Sequence, residues 1–292
     1  MKNSKLINIL CDPVSKEQLL IKNDTIFSSS NQYPIVKDIP VLLIDKKLKN
    51  YAIDILNNKK SKVGYSWVAS NWNKLNIEKL VKKSSHKQLL LNLGSGTPKE
   101  KDKFEKLGYE MISVDINPTY FGVDAICDAH KLPFKDKSFD VVCAFEVLEH
   151  LEEPWTAINE INRVLKKNGR FLGSVAFLKE FHSSYFHMSH WGVIKLLEFG
   201  GFNISHLYGG QNVYSRLIHN IFPIGFGKIS TFIYNFINTI IMRCRLFYWS
   251  IKNFKNPNIK LSKFDTKYKF SFKEYDKIKF SPTILFDGKK IK

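Results

Sequence analysis

Arginine is scarce for so basic a chain: only 5 of the 45 basic side chains are arginine, against a net charge of +18 over 292 residues. Readers of bases and phosphates lean on arginine's planar fork. The positive charge therefore does not indicate a nucleic-acid partner. It is also uneven, at +6 over residues 1–81, zero over 82–210 and +12 over 211–292. Cysteine is equally sparse. Cys11, Cys127, Cys143 and Cys244 are widely separated, which excludes a disulfide framework and a metal-ligand spacing; no metal is expected. Also missing is an apolar run of the roughly 20 residues that span a bilayer. Met1-Lys2-Asn3-Ser4 leads into no signal-type apolar stretch, so the expected location is the cytoplasm. No internal repeat or low-complexity linker stands out.

What is present divides by pattern into five stretches: 1–48, 49–87, 88–210, 211–277 and 278–292. The first contains Leu10 to Lys16, Ile26 to Ser30 and Tyr33 to Leu43, short β-type runs punctuated by proline and serine. It resembles a small zinc-ribbon-like domain of the kind found beside or fused to methyltransferases. It is degenerate, because tetrahedral zinc needs four Cys or His ligands and Cys11 stands alone with serines near the other expected places. Residues 49–87 read as a helical connection.

From 88 to 210 strands and helices alternate. Gln88 to Leu93, Tyr109 to Asp115, Val123 to Asp128, Phe139 to Phe145 and Gly169 to Val175 read as strands. Thr97 to Leu107 reads as a charged helix opened by Pro98, and Thr156 to Leu165 as an amphipathic helix with Ile158, Ile161, Val164 and Leu165 on one face. Such alternation predicts an α/β, doubly wound parallel sheet. Its ligand belongs beyond the carboxyl ends of the strands, where the strand order reverses.

The chemistry-bearing residues fall at those ends. Gly94 and Gly96 in Leu91-Asn92-Leu93-Gly94-Ser95-Gly96 close the first strand, where missing β-carbons permit a tight turn and let backbone amides approach a ligand. Asp115 closes the second strand about 20 residues on, where a carboxylate accepts from ribose hydroxyls. Asp128 closes the third, in reach of an exocyclic amine such as adenine's. A third glycine, as in the dinucleotide fingerprint, is absent: its position is Lys99.

Residues 88–210 resemble the class I S-adenosylmethionine-dependent methyltransferases, close to the ubiquinone- and menaquinone-biosynthesis subgroup. The likeness runs through Asp128 to Phe134, Ser138 to Val142, Val147 to Leu151, Glu160 to Arg170 and His187-Met188-Ser189. It implies a Rossmann-like seven-stranded sheet and S-adenosyl-L-methionine as cofactor, held by Asn92, Gly94, Ser95, Gly96, Asp115, Ile116, Asp128, Ala129 and Phe145. Two departures stand out: Asn92 where an acidic residue is commoner, and Thr97-Pro98 where another glycine is frequent. Asn92 can still accept from the cofactor's ammonium through its amide oxygen. Methyl transfer needs alignment more than acid–base help. If the acceptor is a hydroxyl, His150 or His187 is the candidate base; for both, an ordering or lining role is the alternative. Glu146, Glu149, Glu152 and Glu153 face either a substrate or solvent. Tyr65, Trp67 and Trp72 either cover the sulfonium or simply pack.

The C-terminal stretch carries Ile229, Phe232, Ile233, Phe236, Ile237, Ile240 and Ile241 at three- and four-residue spacing, an amphipathic helix. Its uncharged run, 229–242, is 14 residues long and flanked by basic residues. The two readings are a lid over the acceptor pocket and peripheral membrane contact through 229–252. Pro282 to Phe286 reads as a final strand, which makes 211–277 an insertion. The acceptor class expected is a small molecule, a lipid or a glycan precursor. An RNA methyltransferase and a non-catalytic docking module are the alternatives.

Overall fold

The computed structural model describes residues 4–58, 81–178, 183–210, 240, 244, 281 and 283–291. Tyr65, Trp67, Trp72, His182 and nearly all of the 211–277 stretch, with its amphipathic helix, lie outside the described residues.

A short helix α1 (Ser4–Ile9) precedes β1 (Leu20–Lys22), β2 (Thr25–Phe27), β3 (Gln32–Val36) and β4 (Ile39–Leu42), and α2 (Lys46–Asn57) follows. Asp45 caps α2 by accepting from the Leu48 N–H at 2.8 Å, satisfying one of the amides that a helix start leaves open. The central stretch runs β5 (Gln88–Leu93), α3 (Lys101–Lys106), β6 (Tyr109–Asp115), β7 (Ala125–Cys127) and β8 (Phe139–Phe145). After a 3-10 turn (Leu148–His150) come α4 (Pro154–Val164), β9 (Leu165–Ala176), α5 (His190–Phe199), β10 (Phe202–Gly209) and β11 (Thr283–Lys290).

Among the described residues these strands form one sheet of eleven, in the order β1-β2-β3-β4-β7-β6-β5-β8-β9-β11-β10. The expected count of seven is therefore corrected. Strands β5 to β11 do form a doubly wound set, with β6 and β7 to one side of β5 and β8 and β9 to the other. The N-terminal strands extend it, because β4 pairs in parallel with the β7 edge, Val41 opposite Ile126 and Leu42 opposite Cys127. An open strand edge is a row of unpaired amides and carbonyls; here β4 covers it. Strand β11 runs antiparallel to both neighbours.

Alternation along the strands explains the layering. In β5, Leu91 and Leu93 point into the larger core with Ile112, Val114, Ile158, Ile161, Val164, Ile194 and Leu197. Leu90 points the other way, with Phe104, Met111, Val141, Cys143 and Phe145. Leu6, Leu10, Ile26, Tyr33 and Leu42 of the N-terminal stretch share the larger core, so its packing is continuous with that of the central stretch. The helix expected over 97–107 is shorter, because Thr97 to Glu100 form the turn that leads from the glycine loop into α3.

Candidate functional site

The strand order reverses between β5 and β8, and the ends of these two strands touch. Gly94 has φ +61, in the left-handed region. A β-carbon built on it would lie 2.4 Å from Cγ2 of Val147, just beyond β8. Glycine is thus required here twice over, by backbone conformation and by close approach. Gly96 is also left-handed, at φ +55, and its amide donates to Asp115 Oδ2 at 2.8 Å. Asp115 Oδ1 accepts from the Asn117 amide at 2.9 Å. The Ser95 amide donates to the Val114 carbonyl at 3.1 Å. The loop is therefore laced to the end of β6.

Burial pushes the Asp115 carboxyl above its ordinary value, against the lowering effect of the Asn117, Gly96 and Ile116 amides. Beside it, Ile116 is 45% exposed, an apolar surface open at the strand end. At the end of β7, Asp128 Oδ1 accepts from the His130 amide at 2.9 Å and lies 2.7 Å from His130 Nδ1. Sequence reasoning gave His130 no role; it orients Asp128. Ala129 is buried. Phe145 packs into the core with Leu90 and Cys143.

Asn92 is buried, and its Nδ2 donates to Glu100 Oε1 at 3.0 Å. Glu100 is fully buried. Sequence reasoning placed it within a charged helix and missed it, since nothing local separates a carboxylate facing solvent from one folded under the loop. On the same loop, Thr97 Oγ1 is buried and has no hydrogen-bond partner among the described residues. A buried hydroxyl without a partner is costly, and an incoming polar ligand would satisfy it. The Asp115 carboxylate, whose oxygens can accept further hydrogen bonds, and this hydroxyl suit the polar groups of S-adenosylmethionine.

On the β8 side, Glu146 has φ +57, an uncommon conformation for a residue with a β-carbon. Its amide donates to the Ser174 carbonyl at 3.0 Å. The Ser174 hydroxyl donates to Glu146 Oε1 at 3.3 Å. Glu149, fully buried, accepts from the Ala176 amide through Oε1 at 3.0 Å, which turns it away from solvent. Its carbonyl accepts from the Tyr185 and Phe186 amides at 2.8 and 3.1 Å. His150 is exposed, and its Nδ1 pairs with the Ser183 carbonyl. The segment 183–189, which carries the exposed His187, is thereby fastened to the turn that carries His150. Glu152 accepts from the Tyr185 hydroxyl at 2.7 Å.

At the N-terminal stretch, Asp12 occupies the turn beside Cys11. It accepts from the Val14 and Ser15 amides at 2.8 and 2.9 Å and from the Tyr33 hydroxyl at 2.8 Å. Among the described residues no group of three or more His, Cys, Asp or Glu side chains could hold a metal ion.

Comparison with known proteins bears on the same segment. Residues 91–173 match the family model described as "Methyltransferase domain". The chain is 49% identical over 43 residues to 27-O-demethylrifamycin SV methyltransferase of Amycolatopsis mediterranei, covering 15% of this chain and 16% of that protein. It is 36% identical over 97 residues to the uncharacterized protein MJ0638 of Methanocaldococcus jannaschii, covering 32% and 42%. The chain thus spans less than half of the length of these curated relatives. Among solved structures it is similar to phosphoethanolamine N-methyltransferase 2 of Haemonchus contortus in complex with S-adenosyl-L-methionine, with a TM-score of 0.46, 16% identity and coverage of 84% and 57%. Residues 91–173 of this chain are thus similar to a methyltransferase domain.

Proposed function

We propose that the protein transfers the methyl group of S-adenosylmethionine to a small-molecule, lipid or glycan-precursor acceptor. The observation that carries this reading is the Gly96–Asp115 link between the loop after β5 and the end of β6, inside the matched segment. The cofactor supplies an activated methyl group on a sulfonium sulfur. The chain's own residues bind, orient and exclude water.

In this reading the Asp115 carboxylate accepts from the ribose hydroxyls. The open face of Ile116 lies against the adenine, and Asp128, oriented by His130, accepts from its exocyclic amine. Ser95, Gly96 and Ala129 contribute loop backbone, and Phe145 supports the loop from the core. The acceptor enters from the side of Glu146, His150 and His187. A hydroxyl acceptor would give its proton to His150 or His187; an acceptor that is already nucleophilic needs neither. The N-terminal stretch serves as a metal-free structural extension of the sheet. The 229–252 stretch acts as a lid or as a peripheral membrane contact. Among the described residues no helix is long and apolar enough to cross a membrane.

Calorimetry with S-adenosylmethionine tests cofactor binding; a folded protein that does not bind it overturns the proposal. Transfer of labelled methyl from the cofactor to fractionated cell extract then identifies the acceptor class. Label appearing in RNA alone would replace the acceptor proposed here.

A further inference from the structure

The strand that carries the glycine loop presents a neutral amide, Asn92, two residues before Gly94. A fully buried carboxylate, Glu100, lies directly behind it, 3.0 Å from its Nδ2. A fully buried carboxylate is uncommon, and one hydrogen bond to this one comes from Asn92. Helix capping does not account for the placement. Glu100 immediately precedes α3 and makes no side-chain cap there. Its neighbours Lys99 and Lys101 are less buried, and the side chain crosses under the loop to reach β5.

We infer that Glu100 is a positioning residue that supplies, through Asn92, the negative charge facing the ammonium of the bound cofactor. The chemistry is local. With Nδ2 committed to Glu100, the amide orientation is set, and Oδ1 is the end left to accept from a ligand. A hydrogen bond to a carboxylate also polarises the amide and makes that oxygen a stronger acceptor. The location suits the amino-acid end of the cofactor. Asp115 and Asp128 lie at the ends of β6 and β7, where the proposed function puts the adenosine. The other end then runs back over the loop toward β5 and β8, and Asn92 pairs with Cys143 across those two strands. This inference rests on the proposed function and deepens it.

The test is calorimetric and uses the full chain with three ligands: S-adenosylmethionine, S-adenosylhomocysteine, and 5′-methylthioadenosine, which lacks the amino-acid portion. E100Q keeps the shape and removes the charge. The expected result is about a tenfold loss of affinity for the first two ligands, with 5′-methylthioadenosine unchanged within about twofold. The swap N92D/E100Q moves the charge by one hydrogen bond and is expected to restore both affinities to within about threefold of the wild type. N92L is the second variant, used if E100Q does not fold; it removes the accepting oxygen and should produce the same selective loss.

Three outcomes overturn the inference: unchanged affinity in E100Q and N92L, equal weakening toward all three ligands, or a swap that restores nothing. Equal weakening would mean that the pair only shapes the loop. A wild-type protein that binds none of the three ligands overturns the proposed function instead, and the two failures are thus distinguishable.

Discussion

The Gly96 amide donates to Asp115 Oδ2 at 2.8 Å, so the loop that ends β5 is held by the carboxylate that ends β6. The two residues are 19 apart in sequence, one in the loop after β5 and the other at the end of the adjacent parallel strand β6. That one hydrogen bond fixes the position of both the loop amides and the carboxylate.

The ionisation of Asp115 bears on cofactor binding in the proposed function. Burial raises its carboxyl above the ordinary carboxylate value of about 3.9, and in the proposed function accepting from ribose hydroxyls would favour the ionised form. Affinity for S-adenosylmethionine should therefore hold steady at neutral pH. It should begin to fall at a pH above that expected of an unperturbed aspartate. D115N should weaken binding roughly tenfold to a hundredfold, the cost of about 1.5–3 kcal/mol for a charged hydrogen bond, and flatten the profile. Titration calorimetry across pH 5 to 8 reads both effects.

G94A carries two separable costs. The left-handed backbone costs roughly 1–2 kcal/mol for a residue with a β-carbon, and the methyl would collide with Val147. V147A should relieve the collision but leave the backbone cost, so G94A/V147A is expected to be more stable than the separate losses predict. A double-mutant cycle in urea measures this; strict additivity would show that the contact plays no part.

Glu160 joins the N-terminal stretch to the central one. It accepts from Lys16 at 2.7 Å and from both Nε and Nη2 of Arg163, at 2.7 and 2.9 Å. Arg163 also reaches the Leu132 and Phe134 carbonyls. R163M should cost about 3 kcal/mol, as expected when one partner of a largely buried pair is removed. K16M should cost about 1 kcal/mol, because Lys16 is more exposed. The two should combine non-additively, since they share Glu160. Urea unfolding of the single and double variants provides the measurement.

Asp12 should give the N-terminal stretch an acid-sensitive component of stability. Burial opposes its ionisation, but hydrogen bonds from Ser28, Ser15, Tyr33 and Val14 outweigh burial and hold the carboxyl well below the usual range. A carboxyl depressed in the folded state stabilises the fold fully above its unfolded value, near 3.9, and that contribution is lost as pH falls through the folded value. D12N should therefore be less stable than the wild type by about 2 kcal/mol at neutral pH. The gap should narrow below about pH 4, and thermal unfolding as a function of pH checks the sign.

Much of the central fold was legible because its strands advertise themselves. Gln88–Leu93, Tyr109–Asp115 and Phe139–Phe145 have the bounds that their apolar runs suggest, since short buried strands flanked by turns leave little room for another reading. Where end effects rule, the reading was looser. The charged helix shrank to Lys101–Lys106, and the final strand extends through Asp287 to Lys290, paired with β10. Polar residues at the end of a strand carry no periodic signal.

The sequence by itself determined the alternation of strands and helices, the two glycines at the end of β5, and the carboxylates closing β6 and β7. These are local properties, set by side-chain period and by the need for left-handed backbone. Only the tertiary structure decided that β4 pairs with β7 to extend the sheet to eleven strands and that Glu100 folds beneath Asn92. Those depend on which distant edges and buried charges find each other. Pairing across a sheet edge and burial of a carboxylate are governed by the surroundings the whole chain creates, and no residue's immediate neighbours encode them.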